Sequence, residues 1–303
     1  MTAAIDTRSA IFHAMGTEIT VRVGHPDADD LIAGAERLFA DWEAALSRFR
    51  PESELCRMNA RAGSPVRVGP LLLRVMTEAL RAAWATRGVF DPTLGRQLVA
   101  AGYAQSFDLP SSTRFRIARV RPGGAWRDLA VDADASVVTV PAGAAVDLGG
   151  IAKGMAVDAV IERLAEAGVT RALVNAGGDM RVISSRGEGW PVGLTDVRDA
   201  SVTLVDGALA TSSTARRRWR LAWEDQHHLI DPRTGEPSRS SVWSVSVAAP
   251  TCVQAEVAAK TALILGPEAG VAFLRKAGLS AVLSREDEPS ISVGAWPQDA
   301  VAA

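Results

Sequence analysis

Lysine is scarce in this chain of 303 residues: only Lys153, Lys260 and Lys276 stand among its thirty-three basic residues. Acidic residues number thirty-five, and the formal net charge is −2. A protein that binds nucleic acid or an anionic membrane through its overall charge carries a basic excess. The composition therefore disfavours both classes of binder.

Cysteine is scarce as well, and the sequence shows no pattern typical of an export signal or of a long apolar run. Cys56 and Cys252 are the only cysteines; they are too few for a disulfide framework, and their spacing matches no metal motif. The first residues contain neither a basic region nor an apolar core typical of a secretory signal, so we expect a cytoplasmic protein. No apolar run reaches the roughly 18 residues of a membrane span, and we expect none.

The hydrophobic pattern predicts helices and strands grouped in runs along the chain, which favours an α+β fold over a doubly wound sheet. Apolar residues recur at helical spacing in 27–49, 69–88, 151–167, 253–266 and 267–278. Strand-like segments comprise 17–23, 171–179, several stretches between 180 and 249, and 279–284. We expect one domain over 10–285, with 1–9 and 286–303 as flexible termini.

The segment 145–169, "AVDLGGIAKGMAVDAVIERLAEAGV", places Lys153 between a double glycine and an amphipathic helix. Unpaired N–H groups and the helix dipole at such a start favour an anion, and a lysine adds a full positive charge. The segment matches neither a P-loop nor a dinucleotide-binding fingerprint. The alternative is an ordinary helix start with a solvated lysine.

Two further segments contain glycine turns, and each turn allows two interpretations. In "RGVFDPTLGR" (87–96), Asp91 either accepts hydrogen bonds from a ligand or closes an Asx turn on its own backbone. In "NAGGDMR" (175–181), the double glycine either admits a ligand close to the backbone or forms a hairpin turn.

The C-terminal half adds a histidine and a charged helical pair. His228 of "DQHHLIDPRTGEP" (225–237) is a candidate general acid or base, although "DPRTG" alone is a turn signature. Glu256 and Lys260 lie four residues apart and therefore on one helix face. They form either an ordinary ion pair or, through Glu256, an oxygen ligand for Mg²⁺, which a protonated lysine cannot bind.

The order of these motifs is more informative than any one of them. The blocks are "AMGTEITV", "LSRFRPESELCRMN", "GVFDPTLG", "VDLGGIAKGMAVD", "NAGGDMR", "ALATSS", "HLIDPRTGEP" and "AEVAAKTALILG". Together, from about residue 12 to 284, they resemble the ApbE family of FAD:protein FMN transferases. The resemblance implies an ApbE-like fold of mixed and antiparallel sheets packed with helices, in one compact domain with two subdomains.

The resemblance also implies a reaction and its site. FAD, the substrate, binds with Mg²⁺ at its pyrophosphate, FMN passes to a Ser or Thr hydroxyl of an acceptor protein through a phosphoester bond, and AMP leaves. The implied FAD contacts are Met15, Phe49, Val89, Phe90, Asp91, Asp147, Lys153, His228 and Ile230. His228 is the implied catalytic residue, and Asp231 is a second candidate base. The implied metal contacts are the carbonyl of Gly150 and the carboxylate of Glu256.

One departure from the family pattern concerns the metal. The family has Asp and, four residues later, Thr as metal ligands, where this chain has Glu256 and Lys260. Two alternatives to a transferase stay open. One is an FAD pyrophosphatase that uses water as acceptor, because the choice of acceptor depends on surface shape and access. The other is a non-catalytic FAD-binding protein with a degenerate metal site, which Lys260 favours.

Overall fold

A computed structural model describes residues 7–104, 122–184, 188–194, 201–215, 217–221, 224–285 and 288–295. The chain divides into two compact units. The first unit comprises 1–41, 153–213 and 241–303, and the second comprises 42–152 and 214–240.

The described strands and helices alternate in groups along the chain. The strands are β1 (Arg8–Ala14), β2 (Thr17–Val23), β3 (Pro65–Arg67), β4 (Ala130–Asp132), β5 (Val137–Thr139), β6 (Arg171–Ala176), β7 (Asp179–Ser184), β8 (Trp190–Gly193), β9 (Ser201–Leu204), β10 (Gly207–Ser213), β11 (Arg218–Leu221), β12 (Glu224–His227), β13 (Ile230–Asp231), β14 (Glu236–Pro237), β15 (Val242–Ala249), β16 (Ser280–Arg285) and β17 (Glu288–Val293). The α-helices are α1 (Ala28–Leu46), α2 (Glu54–Asn59), α3 (Pro70–Ala85), α4 (Gly95–Ala100), α5 (Ala152–Glu166), α6 (Cys252–Leu265) and α7 (Pro267–Ala277), and a 3₁₀ turn spans Ala125–Asp128.

An eight-stranded sheet forms the first unit, in the order β1-β2-β6-β7-β10-β15-β16-β17. Every neighbouring pair in it is antiparallel. Its alternation is clear in β2, where Ile19, Val21 and Val23 are fully buried. The mixed α+β, largely antiparallel fold predicted from the sequence is thereby confirmed.

Helix α6 packs against β10 and β15 of this sheet. Its side chains are buried on nearly all sides, including the charged Glu256. A helix that is apolar all round belongs in a protein interior, so a charge on it needs a partner.

The second unit combines helices α2, α3 and α4 with short sheets. Strands β3, β5 and β4 form one sheet in that order, and β11–β12 and β13–β14 form two hairpins. Ile230 is buried with Leu94, Leu98 and Ala101 in an apolar cluster of this unit. The implied FAD contact Ile230 is therefore a core residue of the second unit.

The described sheet includes residues on both sides of the predicted domain limits, before residue 10 and after residue 285. Strand β1 begins at Arg8, and β17 pairs with β16 over Glu288–Val293. Val293 at the end of β17 is buried. Residues 286–287 and 296–303 lie outside the described residues. Among the residues that are described, no helix combines the length and apolar character required to cross a membrane.

Candidate active site

Three charged side chains from separate segments meet in the first unit, and we call them the lysine cluster: Lys153, Asp179 and Glu256. The ammonium of Lys153 donates to Oδ2 of Asp179 and, at 3.0 Å, to Oε1 of Glu256. The lysine side chain is 14% exposed and each carboxylate side chain 6%. The predicted site residues Lys153 and Glu256 are thus in direct contact.

Glycines bring the lysine cluster together. Gly177 and Gly178 form a two-residue turn between β6 and β7 with positive φ at both positions, and Asp179 follows directly. Such a turn requires left-handed backbone at both central residues, which suits a glycine pair. The hairpin-turn interpretation of "NAGGDMR" therefore describes its backbone.

Gly154 allows α5 to pack closely against α6. A Cβ at this position would lie 2.8 Å from Oε2 of Glu256 and 3.0 Å from the carbonyl oxygen of Cys252. With no side chain in the way, the N–H of Gly154 donates to Oε2 of Glu256 at 2.9 Å. Glu256 is therefore held through both of its carboxylate oxygens.

The lysine cluster lacks the net positive charge of the anion site that the sequence suggested. One ammonium against two carboxylates leaves one net negative charge. The N–H of Gly154 at the helix start is also taken by Glu256. Lys153 therefore organises two acids, and it does not act as an isolated cation at a helix N-terminus.

Asp158 fixes the same two helices one turn farther along α5. Its oxygens accept from the N–H groups of Cys252 and Val253 at 2.8 and 2.9 Å, and Arg181 pairs with it at 3.0 Å. These N–H groups belong to the first turn of α6, which has no intrahelical acceptors for them. Burial raises the pKa of Asp158, against the opposing effect of these hydrogen bonds.

A second charged site lies in the second unit around Asp147. Nε of Arg48 is 2.6 Å from Oδ2 of Asp147, and Oδ1 of Asp147 accepts from the N–H of Gly149 at 2.9 Å. The guanidinium carbon of Arg48 lies 4.1 Å from the ring centroid of Phe49 and 4.6 Å from that of Tyr103. Cations over aromatic faces at such distances are attracted by the ring quadrupole.

The aromatic rings of this site continue from Phe49 through Tyr103 to Trp219. Phe49 meets Tyr103 edge-on at 5.5 Å, and Tyr103 stacks on Trp219 at 5.5 Å. The indole N–H of Trp219 donates to the carbonyl of Ala101 at 2.7 Å. Sequence reasoning missed Arg48, Tyr103 and Trp219; Arg48 stands in the quoted motif "LSRFR", and Tyr103 is the single tyrosine of the chain.

The carboxylate of Asp91 is occupied within its own turn. Oδ1 accepts from the backbone N–H of Thr93 at 2.8 Å and from its hydroxyl, and Oδ2 accepts from the N–H of Gly124 at 2.7 Å. This is the Asx-turn interpretation of "GVFDPTLG", extended by a contact with a distant loop. Beside it, Phe90 is buried and Val89 is half-buried.

Of the two adjacent histidines, His227 is the buried one. Its Nδ1 accepts from the N–H of Leu229 at 3.2 Å, so the ring proton resides on Nε2, which donates to the carbonyl of Ser238 at 2.9 Å. Burial, assisted by the positive charge of Arg218, lowers the pKa of His227. His227 is therefore a neutral structural residue, and the half-buried His228 is left as the candidate base.

Asp231, the second candidate base, is held by Arg233. The guanidinium contacts both carboxylate oxygens, at 2.9 and 3.1 Å through Nε and at 2.7 Å through Nη2. The N–H of Arg233 also donates to Oδ1. This geometry suits a rigid turn better than proton transfer.

Met15 stands at the tip of the β1–β2 hairpin. It adopts a left-handed backbone with φ of 52°, and Gly16 follows with φ of 68°. A non-glycine residue in this conformation is uncommon. Met15 is half-buried at this turn.

The donors available for a metal are few. Gly150 lies buried just before α5, and Glu256 already bonds Lys153 and Gly154. Within the described part of the chain, no three His, Cys, Asp or Glu side chains are arranged to hold a metal ion. The Mg²⁺ that the resemblance implies therefore does not fit the side chains present.

Comparison with known proteins gives consistent matches over most of the chain. The family profile described as "ApbE family" matches residues 15–283. FAD:protein FMN transferase of Treponema pallidum is 31% identical over 293 aligned residues, covering 86% of this chain and 80% of the relative. The protein of the same description from Escherichia coli K12 is 28% identical over 268 residues, covering 84% and 76%.

Solved structures show the same fold. The ApbE protein of Thermotoga maritima superimposes with a TM-score of 0.84 at 25% identity, covering 95% of this chain and 97% of that one. The apo form of the flavinyl transferase ApbE of Pseudomonas stutzeri gives a TM-score of 0.81 at 25% identity, covering 95% of each chain.

Proposed function

Because the chain belongs to the ApbE family, we propose that it is an FAD:protein FMN transferase. It binds FAD, transfers the FMN half to a Ser or Thr hydroxyl of an acceptor protein and releases AMP. The observation that carries this function is the match of residues 15–283 to the family, together with relatives described as FAD:protein FMN transferases that cover 86% and 84% of the chain.

The transfer is a substitution at phosphorus. The hydroxyl oxygen of the acceptor attacks the phosphorus of the FMN half, the bond from that phosphorus to the bridging oxygen breaks, and AMP leaves with that oxygen. The hydroxyl proton passes to a base of the enzyme. Positioning and electrostatic stabilisation dominate catalysis of such reactions.

His228 is the favoured base of the two candidates. A histidine has an unperturbed pKa near neutrality and so suits proton transfer at physiological pH. The neighbouring His227 is tied to Ser238 and Leu229, and Asp231 is tied to Arg233. These ties favour structural roles for His227 and Asp231, and the family motif "HLIDPRTGEP" supports His228 as the base.

The FAD contacts implied by the family motifs stay predictions. They are Met15, Phe49, Val89, Phe90, Asp91, Asp147, Lys153, His228 and Ile230. For Asp91 and Asp147 the internal hydrogen bonds support an indirect contribution, in which each acid holds a turn or an arginine in place. The acceptor is a protein with an accessible Ser or Thr, and the predicted cytoplasmic location is to be tested by cell fractionation.

Incubation of the purified chain with FAD and an excess of a Ser/Thr flavinylation-motif peptide tests the function. Chromatography then separates FAD, FMN, AMP and the labelled peptide. Release of AMP together with flavin on the peptide supports the transferase. Release of AMP with free FMN indicates a pyrophosphatase, and intact bound FAD under every condition indicates a binding protein.

The variant His228→Asn tests the base. We expect it to lower the rate of AMP release about 10²-fold or more, the usual effect of losing a general base. FAD affinity, measured by flavin fluorescence, should change much less. His13→Asn on the exposed face of β1 is the control, and equal rates for the His228 variant and the parent would exclude His228 as base.

A further inference from the structure

We propose that Arg48 is a further ligand-binding residue of the second unit, whose Nη2 amino group donates to an acceptor at the edge of a planar nitrogen heterocycle. FAD offers two such rings, the isoalloxazine and the adenine, and both carry acceptors at their edges. The inference rests on the proposed function, since FAD is the ligand concerned. It goes beyond the contacts that the family motifs imply, because Arg48 is not among them.

The guanidinium of Arg48 is buried but only partly paired. Its side chain is 10% exposed, and its Nε forms the ion pair with Oδ2 of Asp147 at 2.6 Å. Nη2 is buried as well and has no hydrogen-bond partner among the described residues. Buried donors in folded proteins nearly always have an acceptor, since an unpaired donor has lost its bonds to water without compensation. An acceptor supplied by a ligand would complete the guanidinium.

Arg233 of the same unit shows how an arginine pairs when the chain itself provides the acceptors. Its Nε and Nη2 both bond the carboxylate of Asp231, at distances of 2.7 to 3.1 Å. The planar fork of an arginine fits a carboxylate through two parallel bonds in this way. Asp147 meets Arg48 through Oδ2 alone, and its Oδ1 accepts from the N–H of Gly149. Nη2 of Arg48 is thereby left for another acceptor.

The backbone around Asp147 holds this ion pair in place before any ligand arrives. The N–H of Asp147 donates to the carbonyl of Pro92 at 2.8 Å. Asn59 bonds both the N–H and the carbonyl of the preceding residue, Val146, each at 2.8 Å. A donor that is positioned in advance loses little conformational freedom when it binds, which favours affinity. Asp147 thus serves to orient Arg48.

The rings beside Arg48 favour a flat ligand over a free phosphate. The guanidinium carbon lies 4.1 Å from the ring centroid of Phe49 and 4.6 Å from that of Tyr103, and Tyr103 stacks on Trp219. All three rings are half-buried, and aromatic side chains pack well against other rings. The ion pair of Arg48 with Asp147 has no net positive charge with which to attract a phosphate. A neutral heterocycle with an acceptor at its edge matches both features.

Affinity measurements with FAD and with its two halves, FMN and AMP, test the inference. Arg48→Lys keeps a positive charge for Asp147 but removes the planar fork of N–H groups. We expect about tenfold weaker binding of FAD, as the loss of a hydrogen bond to a charged group typically gives. Only one of the two halves should show the same loss, while the other binds within about twofold of its native affinity. The half that is affected identifies the ring that Arg48 contacts.

Arg50→Lys is the matched control. Arg50 lies two residues farther along, is exposed and pairs with Glu43 at 3.5 Å, so its variant should bind all three nucleotides as the native chain does. The inference is overturned if Arg48→Lys binds FAD as tightly as the native chain. It is also overturned if FMN and AMP lose affinity equally, because general distortion of the site, and not one lost hydrogen bond, would explain that result.

Nuclear magnetic resonance of the native chain with ¹⁵N-labelled arginine gives a reading that needs no variant, in case Arg48→Lys does not fold. Addition of one nucleotide half should shift the guanidinium signal of an arginine whose N–H groups exchange slowly, as those of a buried side chain do. The absence of such a shift with both FMN and AMP would overturn the inference.

These affinities are measured without an acceptor, which separates the inference from the proposed function. A native chain that binds FAD but releases no AMP in the presence of the acceptor peptide would count against the transferase, and the comparison with Arg48→Lys would still decide the role of Arg48. A native chain that binds neither FAD nor either half would overturn both.

Discussion

At the scale of single residues, the charged groups that the motifs point to are mostly engaged by other parts of the same chain. Asp91 binds Thr93 and Gly124, and Asp147 binds Arg48. Buried polar groups are costly without partners, so such pairing is the rule. A motif acid can thus serve a ligand indirectly, by fixing the backbone that meets it.

His227 gives a prediction about acid stability. Burial holds its pKa in the folded protein below the ordinary value of about 6.5, so the unfolded chain takes up the proton first as the pH falls. The free energy of unfolding therefore falls as the pH drops through that value, by at most about 1.4 kcal/mol per pH unit from this residue. His227→Gln should remove this part of the slope in urea unfolding between about pH 7.5 and 5.5.

The control for this prediction is His13→Gln, an exposed position of β1. Its unfolding free energy should follow the native curve across the range. If the curves of His227→Gln and the native chain ran parallel, the neutral buried state of His227 would be refuted.

The sequence identifies which residues carry chemistry better than it identifies their partners. Lys153 and Glu256 are singled out by their motifs, but their contact joins positions about one hundred residues apart. Arg48 and Trp219 were missed because their importance comes from neighbours, Asp147 and Tyr103, that lie far along the chain. Local pattern contains no information about such pairings.

At the scale of elements, the approach of α5 to α6 depends on one small residue. The Cβ of an alanine at position 154 would lie 2.8 Å from Glu256 and 3.0 Å from the backbone of Cys252. Gly154→Ala should therefore push the helices apart, with a loss of about 1–3 kcal/mol in the free energy of unfolding, as overpacking typically costs. Thermal and urea unfolding would measure it.

Gly34→Ala on α1 is the matched control. Only the far end of Arg37 comes within 4 Å of its new Cβ, and alanine is favoured over glycine inside a helix by up to about 1 kcal/mol. The control should be neutral or more stable. A Gly154→Ala chain that was equally stable would show that α5 does not need glycine at this position.

Long periodic elements were predictable, and short ones were not. The helix predicted at 253–266 differs from α6 by one residue at each end, and the helix predicted at 267–278 begins with α7 and ends one residue later, because their apolar spacing and glycine boundaries are clear. Helices α2 and α4 have six residues each, too few for a helical period to show. The helix predicted over 27–49 ends at Leu46, so Phe49 lies beyond it and faces Tyr103.

At the scale of the whole molecule, two of the four unit boundaries give no sign in the sequence. The boundaries fall after 41, inside α1, after 152, in the first turn of α5, after 213 and after 240. No glycine- or proline-rich linker marks the first two. The expectation of two subdomains came from resemblance to a family, and composition or periodicity would not have supplied it.

The last strand gives a prediction about the sheet as a whole. A chain that ends at Arg285 lacks β17 and leaves the edge of β16 unpaired. Unpaired edges promote association between molecules, and the burial of Val293 is lost as well. We expect lower stability by about 2 kcal/mol or more and concentration-dependent aggregation, measured by urea unfolding and light scattering.

A chain that ends at residue 295 retains β17 and is the reference for this truncation. If the two shortened chains had equal stability and solubility, the sheet would not depend on its final strand.

The order of strands in the sheet has a consequence for biosynthesis. Its spatial order, β1-β2-β6-β7-β10-β15-β16-β17, is also the order in which the ribosome delivers the strands. No strand has to insert between two that are already paired, so the sheet is able to grow by addition at a single advancing edge as the nascent chain emerges. Strand β17 is the last of these strands to be added, and until it has emerged the unpaired edge of β16 is exposed to other molecules.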